Sequence, residues 1–366
     1  MNVKRLLERV PADSAAQERA WAVVREAYRA REPARARRPV RLRVAFAVAG
    51  VALACAAAAL SPPGRAVVNA VRRSIGIEGA TPTAFRLPAP GRVLVSGAGG
   101  TWVASEDGSL RRLGSWPAAA WSPHGLFVVA ADAGGLTTVE PGSGIVHWSL
   151  ARRNVRLPRW GGTRTDTRVA YLSGGSLRVV AGDGTGDRLL ARRVASAAPA
   201  WQSERHVLAY ATAARAVVVR NVDTGAILAE HRARGRVRAL AWSADRKVLA
   251  VATTRDVELF QAALPERMSI RFSGVRALAF SPDGSLALLT THALLVYSSE
   301  GVQTLLRVQG RLAGLAWSPD GRWLMSSLPR ADQWVFVGRG RVLAVSHVAR
   351  RLGGADPTLD GWVPGA

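Results

Sequence analysis

The chain has 366 residues, 48% of them hydrophobic and only 6% aromatic, with 50 Lys plus Arg against 26 Asp plus Glu and a formal net charge of +24. That length suits one large domain with appendages or two ordinary ones, and 21% charged residues with a near-neutral mean hydropathy argue against wholesale disorder and against a polytopic membrane protein. A single cysteine excludes a disulfide framework and a cysteine-based structural zinc site, and neither lysine, Lys4 or Lys247, follows a P-loop glycine run.

Residues 1–43 read as a short helical stub. Ser14 and Gln17 fit a capping box, and a helix should run from there to about Glu32, where Pro33 ends it. Trp21, Val24 and Tyr28 fall on one narrow apolar stripe, which so small a piece cannot bury by itself. The stripe either rests on lipid headgroups or docks a cytoplasmic protein, as a helix does in a groove.

Residues 44–60 run without a charge from Val44 to Leu60, between Arg43 and Ser61-Pro62-Pro63-Gly64. At 1.5 Å per residue the run spans about 25 Å, enough for a single transmembrane helix at the short end of the range. Arg25, Arg29, Arg31, Arg35, Arg37, Arg38, Arg41 and Arg43 precede it, whereas Arg65, Arg72 and Arg73 follow, which places the N-terminus in the cytoplasm. The long leader disfavours a cleaved signal peptide, and Leu53-Ala54-Cys55 is a poor lipobox because Ala52 stands where such boxes usually have Leu. Residues 61–84 form a juxtamembrane linker or helix.

Residues 85–366 are periodic. Trp121-Ser122-Pro123-His124-Gly125 returns as Trp242-Ser243-Ala244-Asp245, Phe280-Ser281-Pro282-Asp283-Gly284 and Trp317-Ser318-Pro319-Asp320-Gly321, with weaker copies at Trp160 and Trp201. The aromatic positions lie about 40 residues apart, and each repeat reads as several short strands, the signature of an all-β propeller. One such sheet cannot cover both its faces, so neighbours must stack around an axis. These turns resemble the WD40-like repeats of TolB-type β-propellers, in which a Trp-Ser-Pro-Asp-Gly turn follows the first strand of each blade. The whole layout of stub, anchor and propeller is similar to membrane-tethered WD40-like proteins of high-GC bacteria. Such a resemblance implies a fold and leaves function open.

Three strands stand before Trp121 without a leading one, and Gly361-Trp362-Val363-Pro364-Gly365 echoes the anchor motif at the C-terminus. If that last strand completes the opening blade, the ring closes with seven blades; otherwise it has six. The repeat anchors Trp121, Trp160, Trp201, Trp242, Phe280, Trp317 and Trp362 are expected to be core packing and not a ligand cage.

Catalytic signatures are missing from the sequence. His124, His147, His206, His231, His292 and His347 are scattered at different blade positions, and no His-Glu-x-x-His or Gly-x-Ser-x-Gly occurs. Gly182 to Asp187 reads as a hairpin turn and not a phosphate or calcium loop, and Asp283 and Asp320 should bond their own turns. No catalytic residue, metal ligand or cofactor is expected.

One pattern remains. Arginines gather where the fourth strand of one repeat crosses to the first of the next: Arg152, Arg153, Arg156, Arg192, Arg193, Arg232, Arg234, Arg236, Arg238, Arg271, Arg276, Arg307, Arg311, Arg350 and Arg351. Such crossings share one face of a propeller, which would be basic and suited to an anionic polymer, lipid headgroups or an acidic protein. Alternatively, these arginines reflect genome composition and are spread over all faces. Few aromatics interleave them, so nucleic acid is not the expected partner.

The sequence therefore points to a non-enzymatic, single-pass membrane protein that presents a propeller outside the cytoplasm as a binding or sensing module. Two alternatives stand beside it. One is an anti-sigma-like regulator whose stub docks a cytoplasmic factor; the other is a lyase or hydrolase centred on the propeller channel.

Overall fold

A computed structural model describes residues 81–82, 85–261, 267–338, 340–354 and 357–365. The stub, its stripe of Trp21, Val24 and Tyr28, and the expected membrane helix lie outside the described residues. No helix among the described residues is long and apolar enough to cross a membrane.

Seven sheets, each built on four antiparallel strands, make up the described residues. Blades 2 to 7 open with the innermost strands Ala118–Trp121, Val155–Gly162, Ala200–Trp201, Val237–Trp242, Ala277–Phe280 and Ala313–Trp317. Blade 1 is built from both ends of the domain. Thr358–Val363 supplies its innermost strand and pairs antiparallel with Arg92–Gly97, which leads to Gly100–Ser105 and Leu110–Gly114. The ring closes with seven blades, and the six-blade alternative falls.

Burial follows the radius. The second strands, such as Val128–Ala131, Leu286–Leu289 and Leu324–Leu328, are buried at every residue because a neighbouring sheet covers each face. Outer strands such as Val146–Ala151 and Ile227–Arg232 contain no buried residue and alternate exposed with half-buried positions over their last four. The cores lie between blades. Leu208 and Val218 of blade 4 pack with Leu172 and Val179 of blade 3, and Leu249 of blade 5 packs with Val207 and Val217 of blade 4. The interface between blades 7 and 1 holds Trp334, Phe336, Trp323 and Trp362, the largest aromatic group in the fold.

The Ser-Pro-Asp-Gly turns are held by their buried serines. Ser318 Oγ accepts the Trp323 amide at 2.9 Å and donates to Asp320 at 2.5 Å; Ser243 repeats both bonds with Val248 and Asp245. Ser281 donates to Asp283 in the same way. The hydroxyl bond holds the Asp245 and Asp283 carboxyls below the usual carboxylate range. Residues 182–187 form a turn between Ser176–Ala181 and Arg188–Ala191, with the Asp183 carboxylate taking the Thr185 amide and hydroxyl.

Two elements extend the repeat. Thr81–Pro82 pairs in parallel with Leu343 and Ala344 on the outer edge of blade 7, and a short helix, Val348–Leu352, fills the crossing from blade 7 to blade 1.

Candidate functional site: an arginine-rich face

The aromatic anchors sit where the innermost strands meet their turns. Trp121, Trp160 and Trp362 are buried, while Trp201, Trp242, Phe280 and Trp317 are half-buried. Trp201 donates its indole N–H to the Arg159 carbonyl at 2.9 Å, and Trp317 does the same to Ala279 at 3.1 Å, each reaching the equivalent residue of the preceding blade.

The crossings between blades bond to the loops joining second and third strands. Arg152 N–H donates to Gly134 O, Val194 N–H to Gly175 O, Thr254 N–H to Arg236 O and Leu312 N–H to Thr291 O, all between 2.8 and 3.0 Å. Crossings and these loops therefore share one face, and the Ser-Pro-Asp-Gly turns occupy the other.

Of the arginines expected at the crossings, Arg153, Arg156, Arg192, Arg193, Arg234, Arg236, Arg238, Arg271, Arg307, Arg311, Arg350 and Arg351 are exposed, and Arg152 and Arg276 are half-buried. Arg215, Arg255 and Arg330 join them from loops between second and third strands, which the sequence reading, confined to the crossings, did not include. The acidic residues at this end among the described residues are committed locally. Asp132 accepts the Gly134 and Gly135 amides, Asp256 the Thr253 and Ser269 hydroxyls, Glu258 the Arg234 amide, and Asp332 the Ala349 amide. The opposite face is mixed: Asp107, Glu140, Asp166, Asp183, Glu204, Asp223, Asp245, Asp283, Glu300 and Asp320 stand there with Arg164, Arg205, Arg246, Lys247 and Arg322.

Not every crossing arginine points outward. Arg152 turns onto Asp187, which also takes Arg178 at 2.7 Å and the Tyr171 hydroxyl at 2.6 Å. Burial opposes ionisation of Asp187, but the bonds from Arg178 and Tyr171 outweigh it and hold the carboxyl low; burial pushes the Tyr171 phenol up to about 12. Arg351 lies over the Phe85 ring, 4.6 Å from its centroid. Arg276, desolvated and beside Arg311 and Arg238, has its pKa lowered. Arg276 Nη1 donates to the Leu312 carbonyl at 3.3 Å.

Two open clefts of about 520 Å³ each mark this face. One is lined by Arg234, Arg255, Arg271, Asp256, Ser269 and Ser273; the other lies by Asp132, Asn154, Arg156 and Gly175. On the opposite face His206 binds between blades, with Nδ1 on Asp223 and Nε2 2.8 Å from the Asp166 carbonyl, a tie between turns.

Comparison with solved structures returns propellers. A chain of the Mitotic Checkpoint Complex superposes with a TM-score of 0.50 and 18% identity, covering 68% of this chain and 77% of that one. The likeness is one of fold. Hydrazine synthase of Kuenenia stuttgartiensis gives a TM-score of 0.48 at 16% identity, over 60% of this chain and 75% of that one. No protein-family model matches the sequence, and no curated protein matches it. The chain is thus a seven-bladed β-propeller.

Proposed function

We propose that the chain is a non-enzymatic interaction module, anchored through residues 44–60 with its propeller outside the cytoplasm, and that the crossing face binds an anionic partner. The carrying observation is the segregation of charge. The crossing end is richer in arginine than the turn end, where Arg164, Arg205, Arg246 and Arg322 stand among carboxylates, and the carboxylates of the crossing end are already engaged. The membrane-tethered proteins that the sequence resembles make an anionic wall polymer or an acidic ectodomain the natural partner class.

The test is binding of poly-glutamate and of polyphosphate to the full chain as ionic strength rises. Arg234→Gln with Arg236→Gln and Arg271→Gln should weaken binding about tenfold or more and lower its salt dependence. Arg205→Gln with Arg246→Gln and Arg322→Gln, on the turn face, should leave it unchanged. Equal losses from both triple variants would reduce the effect to net charge and sink the proposal.

A further inference from the structure

The two clefts on the crossing face differ in chemistry. The cleft beside Arg156 is floored by Pro117, Ala118, Ala131, Ala133 and Val155, and Arg156 is its single cation. The other is lined by Arg234, Arg255, Asp256, Ser269, Arg271 and Ser273, with no apolar side chain among them. All six belong to blade 5 and its two crossings. Arg234 stands in the crossing that enters the blade, and Arg255 and Asp256 stand in the loop between its second and third strands. Ser269 lies in its fourth strand, Arg267–Ile270, and Arg271 and Ser273 follow in the crossing that leaves it.

Two buried carboxylates fix these walls. Asp256 accepts the Thr253 hydroxyl at 2.7 Å and the Ser269 hydroxyl at 2.9 Å, one on each oxygen, and Arg234 Nη1 lies 3.9 Å from its Oδ2. Glu258 accepts the Arg234 amide at 2.7 Å. Thr254, beside Arg255, donates its amide to the Arg236 carbonyl at 3.0 Å, and its hydroxyl accepts the Arg236 amide at 3.3 Å. The entering crossing, the loop and the fourth strand are therefore bonded to one another, and the cleft is preformed. The guanidiniums of Arg255 and Arg271 are exposed and make no hydrogen bond or ion pair among the described residues. Asp256 is committed to the frame, whereas two of the three cations are left for a group from outside.

We propose that this cleft takes a phosphorylated sugar or polyol, so that one place on the crossing face selects for chemistry as well as charge. The inference rests on the anionic-partner reading above and names the ligand class. Arg255 and Arg271 supply planar, charge-assisted donors to the phosphate oxygens. The Ser273 hydroxyl and the half-buried Ser269 serve the hydroxyls of the attached body. A volume of about 520 Å³ lies within the ~300–1,000 Å³ of small-ligand sites, so a sugar-sized body fits beside the phosphate. An all-polar lining gives an aromatic or aliphatic body nothing to bury against. A protein carboxylate would use the arginines but leave the serine hydroxyls and most of the volume unfilled. The same chemistry occurs in a free sugar phosphate and in a phosphate-linked polymer, and the two are separated below.

Calorimetric titration of the full chain with glucose 6-phosphate, inorganic phosphate and glucose tests both halves of the site. Glucose 6-phosphate should bind about tenfold or more tightly than inorganic phosphate, and glucose alone should give no signal. Arg255→Gln and Arg271→Gln should each weaken glucose 6-phosphate about tenfold or more. Ser273→Ala should weaken it about threefold or more while sparing inorganic phosphate. All three residues are exposed, so the variants should keep the fold. Poly(glycerol phosphate) that displaces glucose 6-phosphate would support a polymer as the source, and failure to displace it would support a free sugar phosphate. Equal affinity for glucose 6-phosphate and inorganic phosphate, or affinity untouched by all three variants, overturns the proposal. Arg192→Gln with Arg193→Gln, at a crossing outside the cleft, should lower polyphosphate binding and spare glucose 6-phosphate; an equal loss of both would reduce the effect to net charge and overturn it too. Polyphosphate binding without any glucose 6-phosphate binding would remove the cleft site and leave the basic-face reading standing, whereas loss of both would remove both.

Discussion

Val93 and Trp362 stand opposite one another in an antiparallel ladder, although one begins the propeller sequence and the other nearly ends it. This pairing turns a row of sheets into a ring. It also leaves blade 1 dependent on the last strand, because Leu94 and Val95 present backbone groups that only Thr358–Val363 satisfies on that side.

Trp362→Ala should therefore destabilise the whole domain. Trp362 is 7% exposed and sits in the core shared with Trp334 and Phe336, its ring 5.9 Å from that of Phe336 in an edge-on arrangement. Removing a buried indole of this kind costs about 3–5 kcal/mol, read as a lower urea midpoint. A chain ending before Thr358 should be worse, since it bares an unpaired innermost edge; size-exclusion chromatography should show self-association.

The buried turn serines give a smaller, separable effect. Ser318→Ala removes both the acceptor of the Trp323 amide and the donor to Asp320 at a residue only 1% exposed. The expected loss is about 1–3 kcal/mol by denaturant titration. Ser196→Ala, at an exposed crossing position, should be close to neutral.

Much of this fold is legible in the sequence because the aromatic anchor and its turn recur, and because Trp362-Val363-Pro364-Gly365 repeats enough of that motif to reveal the closing strand. The arginine crossings are legible for the same reason, since a repeat fixes which segments share a face. What escapes is whatever the repeat does not encode. Thr81–Pro82 is too short to show a period, and Val348–Leu352 is a single turn or so of helix. The Asp187 node gathers Arg152 from a crossing with Tyr171 and Arg178 from two strands of the next blade. Arg159 and Asp360 are charged residues where the other blades carry only alanine, glycine, proline or leucine, which shows only once the innermost strands are superposed on their anchors.

The anchor proposal carries its own expectation. In right-side-out vesicles, external protease should reach exposed propeller sites such as Arg205 and Lys247 while sparing an epitope placed before residue 44. Protection of the propeller with cleavage of the epitope would invert the topology and remove the extracytoplasmic partner class from consideration.

Two carboxylates should shape stability against pH in opposite senses. Asp187 is held below its unfolded pKa of about 3.9, so its contribution is present above that pH and lost as pH falls through the folded value. Asp187→Asn should thus destabilise at neutral pH and flatten the acid limb of the stability curve. Asp360 is raised to about 7, so the folded state holds a proton that the unfolded state releases. Its contribution is fully present below about pH 4 and declines as pH climbs toward 7, leaving an ionised, poorly solvated carboxylate above that. Asp360→Asn should remove this decline and raise the urea midpoint most at alkaline pH, where the wild-type side chain is charged.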